Sequence, residues 1–252
     1  MINRLKYYSS RTSLVLLVVI LGAFTSPFKP IDTSLKEVKI VFDKMNELGT
    51  NGKTCYLNYQ VKALLNEKDK QGNNIVSSSK IEMMTAAKNS WLFSDKMNIY
   101  RDQKTTITVL PTQKVIYLAD AVVGKKEERL YDKLSVLQDS IFKCAEKVET
   151  LEVKNKPFNK VVTLYLNPKM SQFLELKKVV YCINTTSNTL HKVDLEYMPD
   201  KQYKTLEYVF TNMDYDYKKT NISVPVTTLF FEKKNKLKAE YTGYKVIDNR
   251  KK

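Results

Sequence analysis

The sequence predicts an α+β protein in which one antiparallel sheet is covered by an N-terminal and a central amphipathic helix. Apolar residues recur every three or four positions over 31–49 and over 125–148, as in helices that bury one face. In most of the remaining chain, apolar and polar residues alternate in short runs separated by polar turns, as in an antiparallel meander. With 252 residues, 43% of them hydrophobic, the chain is long enough to build the core that this architecture needs.

The N-terminus has the pattern of a signal peptide. Residues 1–13 carry three basic and no acidic side chains, and 14–24 contain no polar side chain. The apolar run is shorter than the roughly 20 residues of a membrane-spanning helix, which favours a cleaved signal peptide. An uncleaved membrane anchor is the alternative. We therefore expect a signal peptide over 1–26, export of the protein, and a single domain over 27–252.

The first helix is expected over 31–49. Ser34 and Glu37 have the spacing of a capping box at its start, and Gly49 is placed to end it. Its apolar face is formed by Leu35, Val38, Val41, Phe42, Met45 and Leu48.

A first group of strands is expected over 54–118. Alternation is clearest over 55–65, and a polar turn containing Gly72 separates this strand from a second one over 75–84. Shorter strands follow, beginning near Trp91, Ile99, Ile107 and Val115. A second group of strands is expected over 161–165, 179–183, 193–197, 206–210, 227–231 and 239–246.

The central helix, expected over 125–148, lies between the two groups of strands. Its apolar residues follow each other at intervals of three or four and form a narrow stripe. They are Leu130, Leu134, Leu137, Ile141, Cys144 and Val148.

The sequence offers little for catalysis or for a cofactor. His191 is the single histidine and belongs to a predicted strand, with no cysteine or second histidine at ligand spacing. The Gly-Lys-Thr within 49–54 has the wrong glycine spacing for a phosphate-binding loop and follows a helix instead of a strand. Cys55, Cys144 and Cys182 form no Cys-x-x-Cys motif, so we expect buried thiols or at most one disulfide. These patterns predict neither an enzyme nor a bound cofactor.

A net charge of +15 raises the question of a polyanionic partner. Only five of the 42 basic residues are arginine, the residue that reads base edges most effectively, and export would separate the protein from DNA. We therefore expect no nucleic-acid binding. The scattered lysines favour a solvated basic surface over a dedicated binding site, and attraction to a membrane surface with anionic headgroups, an anionic polysaccharide or an envelope protein is the alternative.

The order of elements resembles that of the outer-membrane lipoprotein-sorting protein family, the LolA-like and LolB-like proteins. The segment 80–84 looks like the second strand of that family, and 100–105 with 109–111 looks like its Asp-Gly-Lys turn and following strand, although Gln103 replaces the usual glycine. The segments 193–197 and 205–210 resemble its late strand pair.

The resemblance implies an unclosed antiparallel β-barrel, a curled sheet of about ten or eleven strands, with helices over an apolar cavity. It also implies a periplasmic or cell-envelope protein of a Gram-negative bacterium that binds or carries a lipid or lipoprotein acyl chain, with the central helix as a lid. The alternative is an envelope scaffold or adhesion module that holds a polyanion or a protein. The expected cavity-lining residues are Leu57, Tyr59, Val61, Ile81, Met83, Trp91, Phe93, Leu130, Leu134, Leu137 and Ile141.

Overall fold

A computed structural model describes residues 32–48, 53–86, 89–121, 139, 141–154, 156–232 and 236–250. Its helices are α1 (Thr33–Leu48), α2 (Pro168–Leu174) and α3 (Thr227–Phe230). Its strands are β1 (Cys55–Lys68), β2 (Asn74–Ala86), β3 (Asn89–Ser94), β4 (Asn98–Arg101), β5 (Thr105–Leu110), β6 (Val115–Asp120), β7 (Ala145–Glu152), β8 (Lys160–Leu166), β9 (Leu176–Asn184), β10 (Thr189–Tyr197), β11 (Tyr203–Asp214) and β12 (Lys245–Asp248). None of the helices in these ranges is long and apolar enough to cross a membrane.

All twelve strands form one curled sheet, in the order β12-β6-β5-β4-β3-β2-β1-β11-β10-β9-β8-β7. Neighbouring strands are antiparallel except β12, which runs parallel to β6. The sheet does not close, because β12 and β7 are its two edges. The predicted α+β class and unclosed antiparallel sheet are confirmed, with twelve strands instead of ten or eleven.

The two faces of the sheet carry different cores. Side chains of directly paired residues point to the same side, so the register assigns every strand residue to a face. We call the face on which Leu57, Met83 and Leu92 lie the inner face, and the face on which Tyr56, Met84 and Trp91 lie the outer face. The inner face is covered by α1 at one end of the strand order, and the outer face is covered at the other by the C-terminal segment, residues 217–232 and 236–246.

Helix α1 packs on the inner face of β7, β8 and β9. Its Leu35, Val38 and Val41 are fully buried against inner-face residues such as Val162 and Tyr181. The start of the helix is capped by the Asp32 carboxylate, which accepts a hydrogen bond from the Ser34 backbone N–H at 2.8 Å. The capping box predicted at Ser34 is therefore wrong. The cap is Asp32, two residues earlier in the chain.

The C-terminal segment is held on the outer face by polar contacts as well as by apolar packing. The Asp102 carboxylate accepts hydrogen bonds from the backbone N–H groups of Lys104 and Thr105 in its own turn and, at 2.9 Å, from that of Val226. Phe230 in α3 is fully buried against β5 and β6. The strand predicted over 227–231 is therefore wrong, and only the last part of the strand predicted over 239–246 is confirmed, as β12.

The central helix is confirmed only in part. Residues 141–143 are helical, but β7 begins at Ala145, so the predicted continuation to Val148 is wrong. The stripe residues Leu130, Leu134 and Leu137 lie outside the described residues. Phe142, which follows Ile141, is buried in the inner-face core with its ring 6.2 Å from that of Tyr181.

Candidate functional site

The inner face of β2–β6 carries a row of apolar side chains, interrupted on β5 by Thr108, which pairs with Ile99 and with Tyr117. Strand register places Met83 opposite Leu92, Leu92 opposite Ile99, and Leu110 opposite Val115, all on the side of the sheet that α1 occupies. We call this row the apolar strip. Its members are Ile81, Met83, Leu92, Ile99, Leu110, Val115 and Tyr117.

The strip differs from the rest of the apolar surface because it is only half-buried. Each member has intermediate exposure, whereas outer-face residues of the same strands, such as Trp91, Ile107 and Ile116, are buried under the C-terminal segment. Within the described residues, the strip belongs to none of the three core clusters. An incompletely covered apolar row of this size is a candidate binding surface.

Aromatic side chains connect the strip to the core beneath α1. Tyr59 pairs with Ile81 on one side and with Phe210 on the other, and its ring lies 5.3 Å from that of Phe210 and 6.3 Å from that of Tyr208. Burial raises the pKa of Tyr59 to about 12, so this phenol is neutral at physiological pH. The rings of Tyr59, Tyr208 and Phe210 therefore link the strip to the core beneath α1.

The predicted cavity-lining residues divide between the two faces. Five of them share the inner face, namely Leu57, Tyr59, Val61, Ile81 and Met83, and Ile141 packs against the inner-face core. Trp91 and Phe93 were expected beside them, and that expectation is wrong.

Both aromatic rings lie on the outer face, because Trp91 pairs with Met84 and Phe93 pairs with Glu82. Trp91 packs there against Tyr100, with 5.5 Å between ring centroids, and Phe93 packs against the same ring at 5.4 Å. The sequence prediction missed the residues that take their place on the inner face, Leu92, Ile99, Leu110, Val115 and Tyr117. Only the strand register reveals them, since apolar residues occupy both faces of β3.

A separate open groove of about 500 Å³ lies at the end of the sheet where α2 joins β8 to β9. Asn167 caps α2 by accepting a hydrogen bond from the Met170 N–H, and Pro168 begins the helix. The groove is lined by Leu166, Pro168, Ser171, Gln172, Met198, Asp200 and Lys201. None of the predicted cavity-lining residues is among them.

The cysteine and histidine side chains are buried or half-buried, and they do not form a reactive cluster within the described residues. Burial and the nearby Asp214 raise the pKa of the Cys55 thiol to about 12, which suppresses the reactive thiolate. Burial lowers the pKa of His191, whose ring lies 6.2 Å from that of Phe158. The three cysteines are free, and no group of three or more His, Cys, Asp or Glu side chains within the described ranges is arranged to hold a metal ion.

Comparisons with known proteins give similarities in structure but not in sequence. No family model matches the chain, and no curated protein matches it. An uncharacterized conserved protein from Thermus thermophilus is similar with a TM-score of 0.41 and 7% identity, over 86% of this chain and 99% of that one.

Two further solved structures carry names of the family that the sequence resembles. A LolA superfamily protein from Nitrosomonas europaea has a TM-score of 0.27 and 7% identity, covering 70% of this chain and 92% of that one. A lipoprotein-sorting protein domain from Vibrio parahaemolyticus has a TM-score of 0.27 and 12% identity, covering 71% and 92%. At these values the similarities do not assign the chain to that family, and the resemblance drawn from the sequence stays a prediction.

Proposed function

We propose that this chain is a non-enzymatic protein of the bacterial envelope that binds or carries the acyl chain of a lipid or lipoprotein on its inner face. The observation that carries the proposal is the apolar strip, which is half-buried and continuous with the aromatic residues around Tyr59. The export predicted from residues 1–26 would bring the protein to a compartment that contains such ligands.

The dimensions and energetics of the strip suit an acyl chain. The five strands β2–β6 are separated by four spacings, which makes the strip about 19 Å wide at about 4.8 Å per spacing. Each buried methylene contributes about 0.8 kcal/mol, so a chain of twelve methylenes would gain about 10 kcal/mol before the cost of association. Such a gain supports reversible binding without any charged anchor.

The predicted stripe of Leu130, Leu134 and Leu137 is part of the proposal as the cover that closes over the bound chain. Two contacts support this assignment. Phe142 is fixed in the inner-face core, and Asp139 pairs with Lys39 of α1 at 3.1 Å, so the described end of this segment lies on the inner face.

Native mass spectrometry and a binding titration test the proposal. Protein purified without harsh detergent should retain a mass corresponding to an acyl lipid, and the purified protein should bind a fluorescent fatty acid. Ile99→Asp places a charge in the strip and should weaken this binding at least tenfold. Leu151→Asp is the matched control, because Leu151 is 63% exposed on the outer face.

Two results would contradict acyl binding. One is a wild-type protein that shows neither a retained lipid nor fatty-acid binding. The other is a loss of affinity in Leu151→Asp as large as that in Ile99→Asp.

The alternative, a polyanion-binding scaffold, has less support from the outer face. Lys192 pairs there with Asp194 at 2.8 Å and with Glu207 at 3.1 Å, and Lys178 pairs with Glu196 at 2.9 Å. Because these lysines are already neutralised by carboxylates, they offer little net charge to a polyanion. Salt separates the two functions, since binding through lysines should weaken steeply with ionic strength whereas acyl burial should not.

A further inference from the structure

One end of the sheet combines exposed apolar side chains with an excess of lysines. In an antiparallel sheet, the last residues of β1, β8 and β10 lie at the same end as the first residues of β7, β9 and β11. Phe173 in α2, which connects β8 to β9, is 52% exposed at this end, and Val76, opposite Leu64 near the end of β1, is 63% exposed. We call this end the α2 end.

Contacts hold the loops of the α2 end together. The Asn66 backbone N–H donates to the Gln202 carbonyl at 3.0 Å, which joins the end of β1 to the β10–β11 turn. The Met198 N–H donates to the Glu175 carbonyl at 2.9 Å, which joins that turn to α2. Phe173 is therefore displayed on a supported surface.

The α2 end is also basic. Its segments contain eight lysines and six acidic side chains, within residues 66–70, 143–146, 167–178 and 196–204. Lys177 and Lys178 pair with Glu196, and Lys201 pairs with Glu175 and Asp200. The exposed lysines that can meet a negative surface include Lys68, Lys70, Lys169 and Lys204. The groove of about 500 Å³ opens on the same surface, with aliphatic walls from Leu166 and Met198 and with Lys201 at its rim. An exposed aromatic ring flanked by lysines is the arrangement that favours the interface of an anionic bilayer, where the ring enters the headgroup boundary and the lysines meet the negative surface.

We infer that the α2 end docks on the surface of an anionic lipid bilayer, with Phe173 inserted at the headgroup level. The docking surface consists of residues separate from the apolar strip. The inference extends the proposed function by naming the surface with which the protein exchanges its ligand, but either can fail without the other.

Co-sedimentation with vesicles tests the docking. The full chain lacking residues 1–26 should bind vesicles that contain phosphatidylglycerol, should bind pure phosphatidylcholine vesicles weakly, and should dissociate as salt is raised. Phe173→Ser should lower the partition coefficient about fivefold or more, whereas Leu151→Ser, at an exposed apolar site near the other end of β7, should leave it unchanged.

A charge reversal provides a second matched pair. The test variant combines Lys169→Glu with Lys204→Glu and changes the α2 end. The control variant combines Lys218→Glu with Lys219→Glu, which makes the same change in net charge beyond the end of β11, at the opposite end of the sheet. The first pair should abolish most vesicle binding, and the second should retain most of it. Equal losses in both would show that net charge alone governs attraction and would overturn the assignment to the α2 end.

A Phe173→Trp variant reports insertion without removing the aromatic ring. Its emission should shift to shorter wavelength when phosphatidylglycerol vesicles are added, while the buried Trp91 of the wild-type chain should show no shift. Absence of the shift, or absence of wild-type binding at low salt, would overturn the inference. Fatty-acid binding in solution should be the same in Phe173→Ser as in the wild-type protein, which distinguishes failure of docking from failure of the proposed function.

Discussion

Two adjacent residues of β3 should have opposite roles, because they lie on opposite faces of the sheet. Trp91 is 7% exposed on the outer face and packs against Phe93 and Tyr100 in a cluster that includes Ile222 of the C-terminal segment. Removing a buried tryptophan side chain costs about 3–5 kcal/mol, so Trp91→Ala should lower the free energy of unfolding by about that amount. It should leave acyl affinity unchanged under conditions in which the protein remains folded.

The neighbouring Leu92→Ser should show the reverse pattern. Leu92 is half-buried in the strip, and burial of half a leucine side chain is worth about 1 kcal/mol, which is the expected loss of stability. Fatty-acid affinity should fall by at least about fivefold, because a hydroxyl replaces three carbon atoms of apolar contact.

Urea unfolding followed by circular dichroism and titration with a fluorescent fatty acid measure the two effects. Circular dichroism is required because Trp91 is the single tryptophan of the chain. A Trp91→Ala protein that keeps wild-type stability but loses acyl affinity, or a Leu92→Ser protein that keeps wild-type affinity, would refute the assignment of faces.

Three further predictions concern the covers of the sheet and the buried groups. Asp102→Ala should lower the free energy of unfolding by about 2–4 kcal/mol in a urea assay, because the Val226 N–H loses its charged acceptor. The control Asp69→Ala should cost less than about 1 kcal/mol in the same assay, because the hydrogen bonds of Asp69 stay within an exposed turn. Equal losses in the two variants would contradict this role of Asp102. Because burial raises the pKa of Cys55 to about 12, its thiol should resist iodoacetamide at pH 8.5 in the folded protein and react in urea. Peptide masses measure the labelling, and rapid labelling of the folded protein would contradict the prediction. Burial acts to raise the pKa of Glu207, but hydrogen bonds from Lys192 and Lys62 outweigh it and hold the pKa below its ordinary 4.5. Its stabilising contribution is therefore present above pH 4.5 and lost as the pH falls through the lowered value, and Glu207→Gln should flatten the decline in urea midpoint between pH 5 and 3.

Local sequence patterns predict the long elements of this fold well. The 3.6-residue period locates α1 at Thr33–Leu48, and clean alternation locates the hairpin of β1 and β2, because in each case one face is apolar and the other polar. The strands β8, β9, β10 and β11 are found for the same reason, with observed ends a few residues longer than expected.

Prediction fails where both faces of an element are apolar or where neither is. In β3, Trp91, Leu92 and Phe93 are all apolar because the C-terminal segment covers one side and the strip occupies the other, so alternation cannot assign the faces. The edge strand β7 is mostly exposed and carries Glu146, Lys147 and Glu149, so it lacks the alternation that would distinguish it from the end of a helix. The C-terminal cover is a contact between distant parts of the chain, and no local period encodes such a contact.

The most direct test of acyl binding on the inner face is photo-crosslinking with a fatty acid that carries a diazirine near its methyl end. Mass spectrometry of the digested protein should locate the label on strip residues, including Met83, Leu92 and Ile99, and excess unlabelled fatty acid should remove it. Label that is confined to outer-face residues such as Trp91, or to the groove beside α2, would contradict the proposal that the inner face holds the acyl chain.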